Sequence, residues 1–115
     1  MKINLNIGGT DFVTTRETLL NKSGFFAALV RNTDADAVFF VDRDPTYFMY
    51  ILNYLRGSEF IPSKPDILKQ LEIEADFYCL HDLSRNIHEK LKHDLQHAQS
   101  IEVELRLLRQ KMQPS

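Results

Sequence analysis

The chain has 115 residues, 43% hydrophobic and 26% charged, which is the composition of an ordinary globular protein and suits a single domain. Fourteen basic against sixteen acidic residues give a net charge of −2, so no basic excess exists to neutralise phosphates and we expect no nucleic-acid partner. An alternating N-terminus unlike a signal peptide, the lack of any membrane-spanning apolar stretch and a single cysteine, Cys79, predict a cytoplasmic protein without direct membrane insertion, and leave the nucleus open.

Residues 2–15 predict a β-hairpin. Apolar and polar side chains alternate from residue 2 to residue 7, the two-residue period of a strand with one buried face. Gly8 and Gly9 follow, and glycine supplies the positive φ values that a tight hairpin turn requires. Residues 12–15 then form the predicted returning strand.

Two capping signals predict two short helices after the hairpin. Thr14 and Glu17 have the spacing of a capping box, which predicts a helix that carries Leu19 and Leu20 inward. Ser23 predicts the N-cap of a second helix, because apolar residues recur after it at helical spacing.

The middle of the chain predicts a third strand and a helix that opens on a proline. Residues 38–41 are β-branched or aromatic throughout and should join the sheet. Asp44 can accept from free backbone N–H groups, and Pro45 is tolerated at the first helical position. We therefore expect the helix to begin there and to end near Gly57.

Three tyrosines recur at helical spacing and form a stripe along one side of that helix: Tyr47, Tyr50 and Tyr54. Tyrosine is enriched where one end of the side chain is buried and the other is wet. We interpret the stripe as part of a subunit interface, and the alternative is packing within the same subunit.

The last part of the chain predicts helices. Residues 66–83 indicate one broken helix or two short ones, and the stretch 84–112 lacks glycine and proline, which predicts one long helix. A heptad pattern follows Ile87, interrupted by Asp94, and its predicted seam consists of Leu91, Ala98, Ile101, Leu105, Leu108 and Met112. We interpret this helix as a coiled coil. A helix that folds back on its own domain, or one that recognises a different protein, is the alternative.

The chain resembles the potassium-channel tetramerisation-type BTB/POZ domain family through segments that occur in the family's order: Leu5-Asn6-Ile7-Gly8-Gly9, Val41-Asp42-Arg43-Asp44-Pro45, Ile51-Leu52-Asn53-Tyr54-Leu55-Arg56 and Glu74-Ala75-Asp76-Phe77-Tyr78. The resemblance covers about the first three-quarters of the chain and implies a small domain that assembles into rings of four or five subunits. We therefore expect an α/β fold with a small three-stranded sheet and helices over residues 1–83, followed by the long helix over residues 84–115.

The resemblance implies a subunit interface, to which we assign Asn6, Asp42, Arg43, Asp44, Tyr47, Tyr50, Asn53, Tyr54 and Arg56. On such a surface Arg43 of one subunit could meet a carboxylate of the next. The alternative leaves Asp44 to helix capping and Asp42 with Arg43 to solvent, where an exposed pair contributes about 0 to 1 kcal/mol.

Two differences from the family pattern bear on metal binding and on the branch of the family that the chain resembles. Many channel members hold zinc with a histidine and paired cysteines, but here Cys79 stands alone, so we expect no metal and no cofactor. Asp44 directly after Arg43 is closer to the cytosolic branch than to the channels. That branch implies a homo-oligomeric scaffold or adaptor. Several of its members recruit cullin-type ubiquitin ligases, which implies such a ligase as a partner at Phe25, Phe26, Asp34 and Asp36. The alternative places the two phenylalanines in the core, since at most one of two adjacent bulky aromatic side chains can point outward.

Two other functions compete with the adaptor. The first is the cytoplasmic assembly domain of a voltage-gated potassium channel. The second is a metal-dependent enzyme that uses the late histidines, of which His93 and His97 share one helical face. No set of residues with catalytic spacing stands out, so we expect that the protein is not an enzyme.

Overall fold

The computed structural model describes residues 2–31 and 38–112, so the predicted partner residues Asp34 and Asp36 lie outside the described residues. Within these ranges the chain forms three strands and five helices. In chain order they are β1 (Lys2–Ile7), β2 (Thr10–Thr15), α1 (Arg16–Lys22), α2 (Gly24–Val30), β3 (Val38–Val41), α3 (Phe48–Leu55), α4 (Pro65–Phe77) and α5 (His81–Met112).

The three strands form one mixed sheet in the order β2-β1-β3. β1 and β2 pair antiparallel across the turn at Gly8 and Gly9, whose φ values are +56° and +101°, and β3 lies parallel to β1 on its other side. The apolar residues of β1 are buried and its polar residues face outward. The predicted hairpin, the third strand and the α/β class are therefore confirmed.

The core lies between the inner face of the sheet and the helices, each of which contributes buried apolar side chains. At its centre the ring of Phe26 stacks on that of Tyr78, with centroids 5.0 Å apart and an interplanar angle of 14°. Phe48 packs edge-on against both rings. One aromatic cluster thus joins α2, α3 and the segment between α4 and α5.

The hydroxyl of Tyr78 is buried and has no hydrogen-bond partner in the described part of the chain. We expect Tyr78→Phe to raise the free energy of unfolding by about 0.5 to 1 kcal/mol, since it removes an unpaired buried polar group. Burial, and next the charge of Glu74, raise the pKa of Tyr78 above its ordinary value. Above the unfolded pKa of about 10 the tyrosine therefore ionises more readily in the unfolded chain, so the free energy of unfolding declines as the pH rises further. Urea unfolding from pH 8 to 11 should show this alkaline loss reduced in the variant, whereas an unchanged profile would contradict the assignment.

The first helix begins one residue later than its capping box predicts. Thr15 is the N-cap, and its hydroxyl accepts from the backbone N–H of Thr18, which displaces Thr14 from that position. Leu19 is buried as expected, but Leu20 is exposed, so its predicted inward position is wrong. A helix of seven residues buries only one narrow face. Ser23 caps α2 as predicted.

The third helix begins at Phe48 and not at Pro45. The carboxylate of Asp44 accepts from both the backbone N–H and the hydroxyl of Thr46, at 2.8 and 2.5 Å, which holds residues 44–47 in a turn. The Phe48 N–H then bonds the carbonyl of Pro45, three residues back. The helix ends as predicted, with Gly57 at φ +101° after its last turn.

The break predicted between residues 66 and 83 lies between α4 and α5. Cys79 has φ +58°, and the N–H groups of Cys79 and Leu80 bond the carbonyls of Asp76 and Ala75, which is the Schellman arrangement that ends a helix. α5 then runs unbroken for 32 residues and gives the molecule its 77 × 24 × 18 Å extents. In the described ranges no helix is sufficiently long and apolar to cross a membrane.

Candidate functional site

The turn between β1 and β2 is fixed by Asn6, the first of the predicted interface residues. Its side-chain amide donates to Asp11 at 2.7 Å, and its oxygen accepts from the backbone N–H of Gly9 at 2.8 Å. The N–H of Gly8 bonds the carbonyl of Val41 at the end of β3. Asn6 therefore has a structural role in addition to its predicted place at the interface.

Arg43 lies beside this turn and is partnered within its own chain. Its Nε donates to Glu74 Oε2 on α4 at 2.6 Å, and its guanidinium lies 4.1 Å from the ring centroid of Phe77. The side chains of Arg43 and Glu74 are 27% and 11% exposed. Arg43 therefore has a carboxylate partner on α4 of its own chain, and the exposed part of its side chain remains accessible to the next subunit.

The two acidic neighbours of Arg43 are exposed. Asp44 is engaged by Thr46, and these side-chain and backbone hydrogen bonds lower the pKa of its carboxyl. The alternative to the interface gave Asp44 a role in helix capping. In the structure Asp44 stabilises a turn and does not cap a helix. Asp42 is exposed immediately after β3 and is available to a partner.

The tyrosine stripe of α3 is neither buried nor free. Tyr47, Tyr50 and Tyr54 are all partly buried and pack against the core. Lys22 lies 4.4 Å from the ring centroid of Tyr54, and its ammonium donates to that residue's carbonyl. Burial, followed by the charge of Asp82, raises the pKa of Tyr54. The three tyrosines therefore pack within their own subunit, and the exposed parts of their side chains remain accessible to a neighbouring subunit.

The last two predicted interface residues lie at the end of α3. Arg56 donates from Nη2 to the carbonyl of Val13 at 2.8 Å and so attaches α3 to β2. Asn53 is exposed, and its backbone carbonyl accepts from Ser58 after the helix. These residues are next to β2, whereas Asp42, Arg43 and Asp44 follow β3.

The outer face of the sheet carries apolar residues that were not predicted to form a surface. Val38 and Phe40 on β3 lie opposite Asn4 and Asn6 of β1, and Val13 pairs with Asn4 from the other side. All three apolar side chains are exposed, Phe40 to 64%. Residues 38–41 are all apolar, but only alternate side chains of a strand face the core, so this run already indicated that two apolar side chains would lie on the outer face.

The predicted cullin surface needs a correction. Phe26 is completely buried in the aromatic cluster, so it cannot contact a partner. Phe25 is half-buried and lies 5.3 Å from Phe77, which is partly exposed. Two bulky neighbours on a short helix cannot both face solvent, and the core takes the one that reaches Tyr78 by stacking.

The predicted coiled-coil seam divides into two parts. Ile87 is buried in the core and Leu91 is partly buried against it, so Leu91 packs within its own chain, and its place in a seam between subunits stays a prediction. The seam residues from Ala98 onward are exposed. The described residues contain no group of three side chains able to hold a metal, and His93 is paired only with Asp94, at 3.7 Å.

Comparison with known proteins identifies one family. The profile of the BTB/POZ domain matches residues 3–87. The chain is 35% identical over 97 residues to the BTB/POZ domain-containing protein KCTD17 of Homo sapiens, and 35% identical over 98 residues to KCTD5 of the same organism. It is also 40% identical over 91 residues to SH3KBP1-binding protein 1 of Bos taurus. These alignments cover 78%, 78% and 74% of this chain, but only 31%, 42% and 13% of the three relatives.

Proposed function

The chain belongs to the BTB/POZ domain family, in the branch of the potassium-channel tetramerisation type that is not part of channels, and on this premise we propose that it is a self-assembling scaffold or adaptor. A cyclic ring of identical subunits requires two different surfaces that complement each other. We assign one to the outer face of the sheet and the other to the exposed parts of Tyr47, Tyr50 and the segment 42–44. A ring presents each partner site several times, which raises avidity without new contacts.

The observation that carries this proposal is the exposed apolar patch on the outer face of the sheet. An uncovered patch with Val38 and Phe40 in solvent favours non-specific association unless another surface covers it. In a ring, the neighbouring subunit provides that cover. The side chains of Asn4 and Asn6 between the apolar residues would supply polar contacts at the same face.

We expect Phe40→Asp to reduce the assembly, because it places a charge in the centre of the covered face. Phe60→Asp is the matched control, since Phe60 is 73% exposed in the connector before α4 and is not part of the sheet. Sizing with light scattering over a concentration series should show smaller species only for the Phe40 variant. Equal masses for the two variants would contradict the assignment of the sheet face.

A finer proposal is recruitment of a cullin-type ubiquitin ligase, with this chain as a cytoplasmic substrate adaptor. Among the described residues, the surface for this contact consists of Phe25 and the neighbouring Phe77. The resemblance to cullin-recruiting members supports the proposal. We expect Phe77→Ala to weaken binding of a purified cullin N-terminal domain in calorimetry, with Phe60→Ala as the control. If the unmodified chain gives no heat at micromolar concentration, the protein acts as a ligase-independent scaffold.

The two competing functions receive less support. The non-channel relatives and Asp44 after Arg43 favour the adaptor over a channel assembly domain. For the enzyme, His93 and His97 would need further ligands, and we propose a non-catalytic role.

A further inference from the structure

The apolar stripe of α5 passes from the core of the domain into solvent. Leu83 and Ile87 are buried on this stripe. Its continuation from Ala98 to Met112 has the spacing 3-4-3-4, and Leu105 at its centre is 48% exposed. The stripe therefore has one covered half and one uncovered half, and the uncovered half keeps the strict period of a coiled-coil seam.

The change occurs where α4 stops covering α5. α4 begins at Pro65, and there an apolar groove of about 560 Å³ opens between Pro65, Leu91, Leu95 and Ala98. Every described residue after position 94 is exposed. Most helical stability in proteins comes from packing of an apolar face, so this uncovered part of α5 would be stabilised by a partner.

The charges beside the stripe are arranged for a second copy of the same helix. In the heptad with Leu105 at position a, Glu104 is at position g and Arg109 at position e, on opposite sides of the seam. Five residues correspond to about 140° around a helix, so these two side chains cannot pair within one chain. Between parallel helices in register, Glu104 lies opposite Arg109 of the partner subunit, and His97 lies opposite Glu102 of the partner subunit.

We propose that α5 binds the α5 of a second copy as a parallel, in-register coiled coil from Ala98 to Met112, with the pairing of Glu104 and Arg109 setting the register. This inference rests on the proposed self-assembly, because cyclic symmetry makes identical helices leave the ring in one direction. An antiparallel pair also has opposite charges in contact, with Glu104 near Lys111 and Glu102 near Arg109. Charge reversal distinguishes the two orientations of the helices, because reversing both Glu104 and Arg109 restores opposite charges only in the parallel pair.

Charge reversals in the full chain test the orientation. We expect Glu104→Arg or Arg109→Glu alone to raise the concentration at half-assembly about tenfold, since each places like charges together in every interface of the bundle. The double variant Glu104→Arg with Arg109→Glu should return to the wild-type concentration. Arg106→Glu, at an outward position b, is the matched control and should have no effect. High salt should remove the differences among the variants.

Each other result would overturn the inference. A double variant that assembles less well than either single variant indicates the antiparallel arrangement. Ile101→Asp with Leu105→Asp should abolish the helix pairing, so a double variant with wild-type assembly would show that α5 does not bind a copy. Either result would overturn only the parallel pairing of α5, because the globular residues would still assemble. A wild-type chain that is monomeric at every concentration would instead refute the proposed function.

Discussion

Replacing Gly8 by alanine is expected to lower the free energy of unfolding by about 3 kcal/mol or more. A Cβ at Gly8 would lie 2.2 Å from the backbone carbonyl oxygen of Arg43, which no rotation of a side chain can relieve. Gly8 also has φ +56°, where an alanine is strained. The clash and the strain add, because the hairpin turn and the segment after β3 must separate to admit the methyl group.

Gly9→Ala is the matched control for this experiment. Gly9 has φ +101°, but an added Cβ there meets no atom within 4 Å, so only backbone strain of about 1 to 3 kcal/mol applies. We expect the Gly8 variant to have the lower urea midpoint and the weaker assembly. Equal midpoints for the two variants would show that the close approach of Gly8 to the Arg43 carbonyl does not affect stability.

Replacing Arg43 by glutamate is expected to destabilise the subunit itself, by about 3 kcal/mol. The variant would place two carboxylates together at Glu74, which is 11% exposed, and would remove the cation that covers the ring of Phe77. Chemical unfolding of the variant measures this loss. Arg85→Ala is the control, because the pair of Arg85 with Asp82 is exposed and contributes about 0 to 1 kcal/mol.

The exchange Arg43→Glu with Glu74→Arg separates the fold from the interface. It restores opposite charges inside the chain but reverses the charge that Arg43 presents at the surface, so we expect part of the stability to return while the assembly stays weak. Recovery of the full wild-type mass in light scattering would contradict a contact between Arg43 and the next subunit. A chain as stable as wild type after Arg43→Glu alone would contradict the pair with Glu74.

Local patterns in the sequence predicted the strands, the Gly8-Gly9 turn and the long helix, because each depends on neighbouring residues. The pair of Arg43 with Glu74 could not be found in this way, since the two are 31 positions apart and only the packing of α4 brings them together. The start of α3 was misplaced for a local reason: Thr46 takes the Asp44 oxygen that would otherwise cap the helix.

The stripe of α5 shows a second limit of sequence patterns. Burial against the same domain and burial against another copy produce the same helical period, so Leu91 and Leu105 look equivalent in the sequence. Only the position of α4 shows that Leu91 is covered by its own chain, whereas Leu105 is exposed.

The most direct test of self-assembly is native mass spectrometry of the intact chain at micromolar concentration. We expect a closed ring of four or five copies of the 13.4 kDa subunit, persisting on dilution until it dissociates to monomer. A single species at the mass of one subunit, at every concentration at which the chain remains folded, would contradict it.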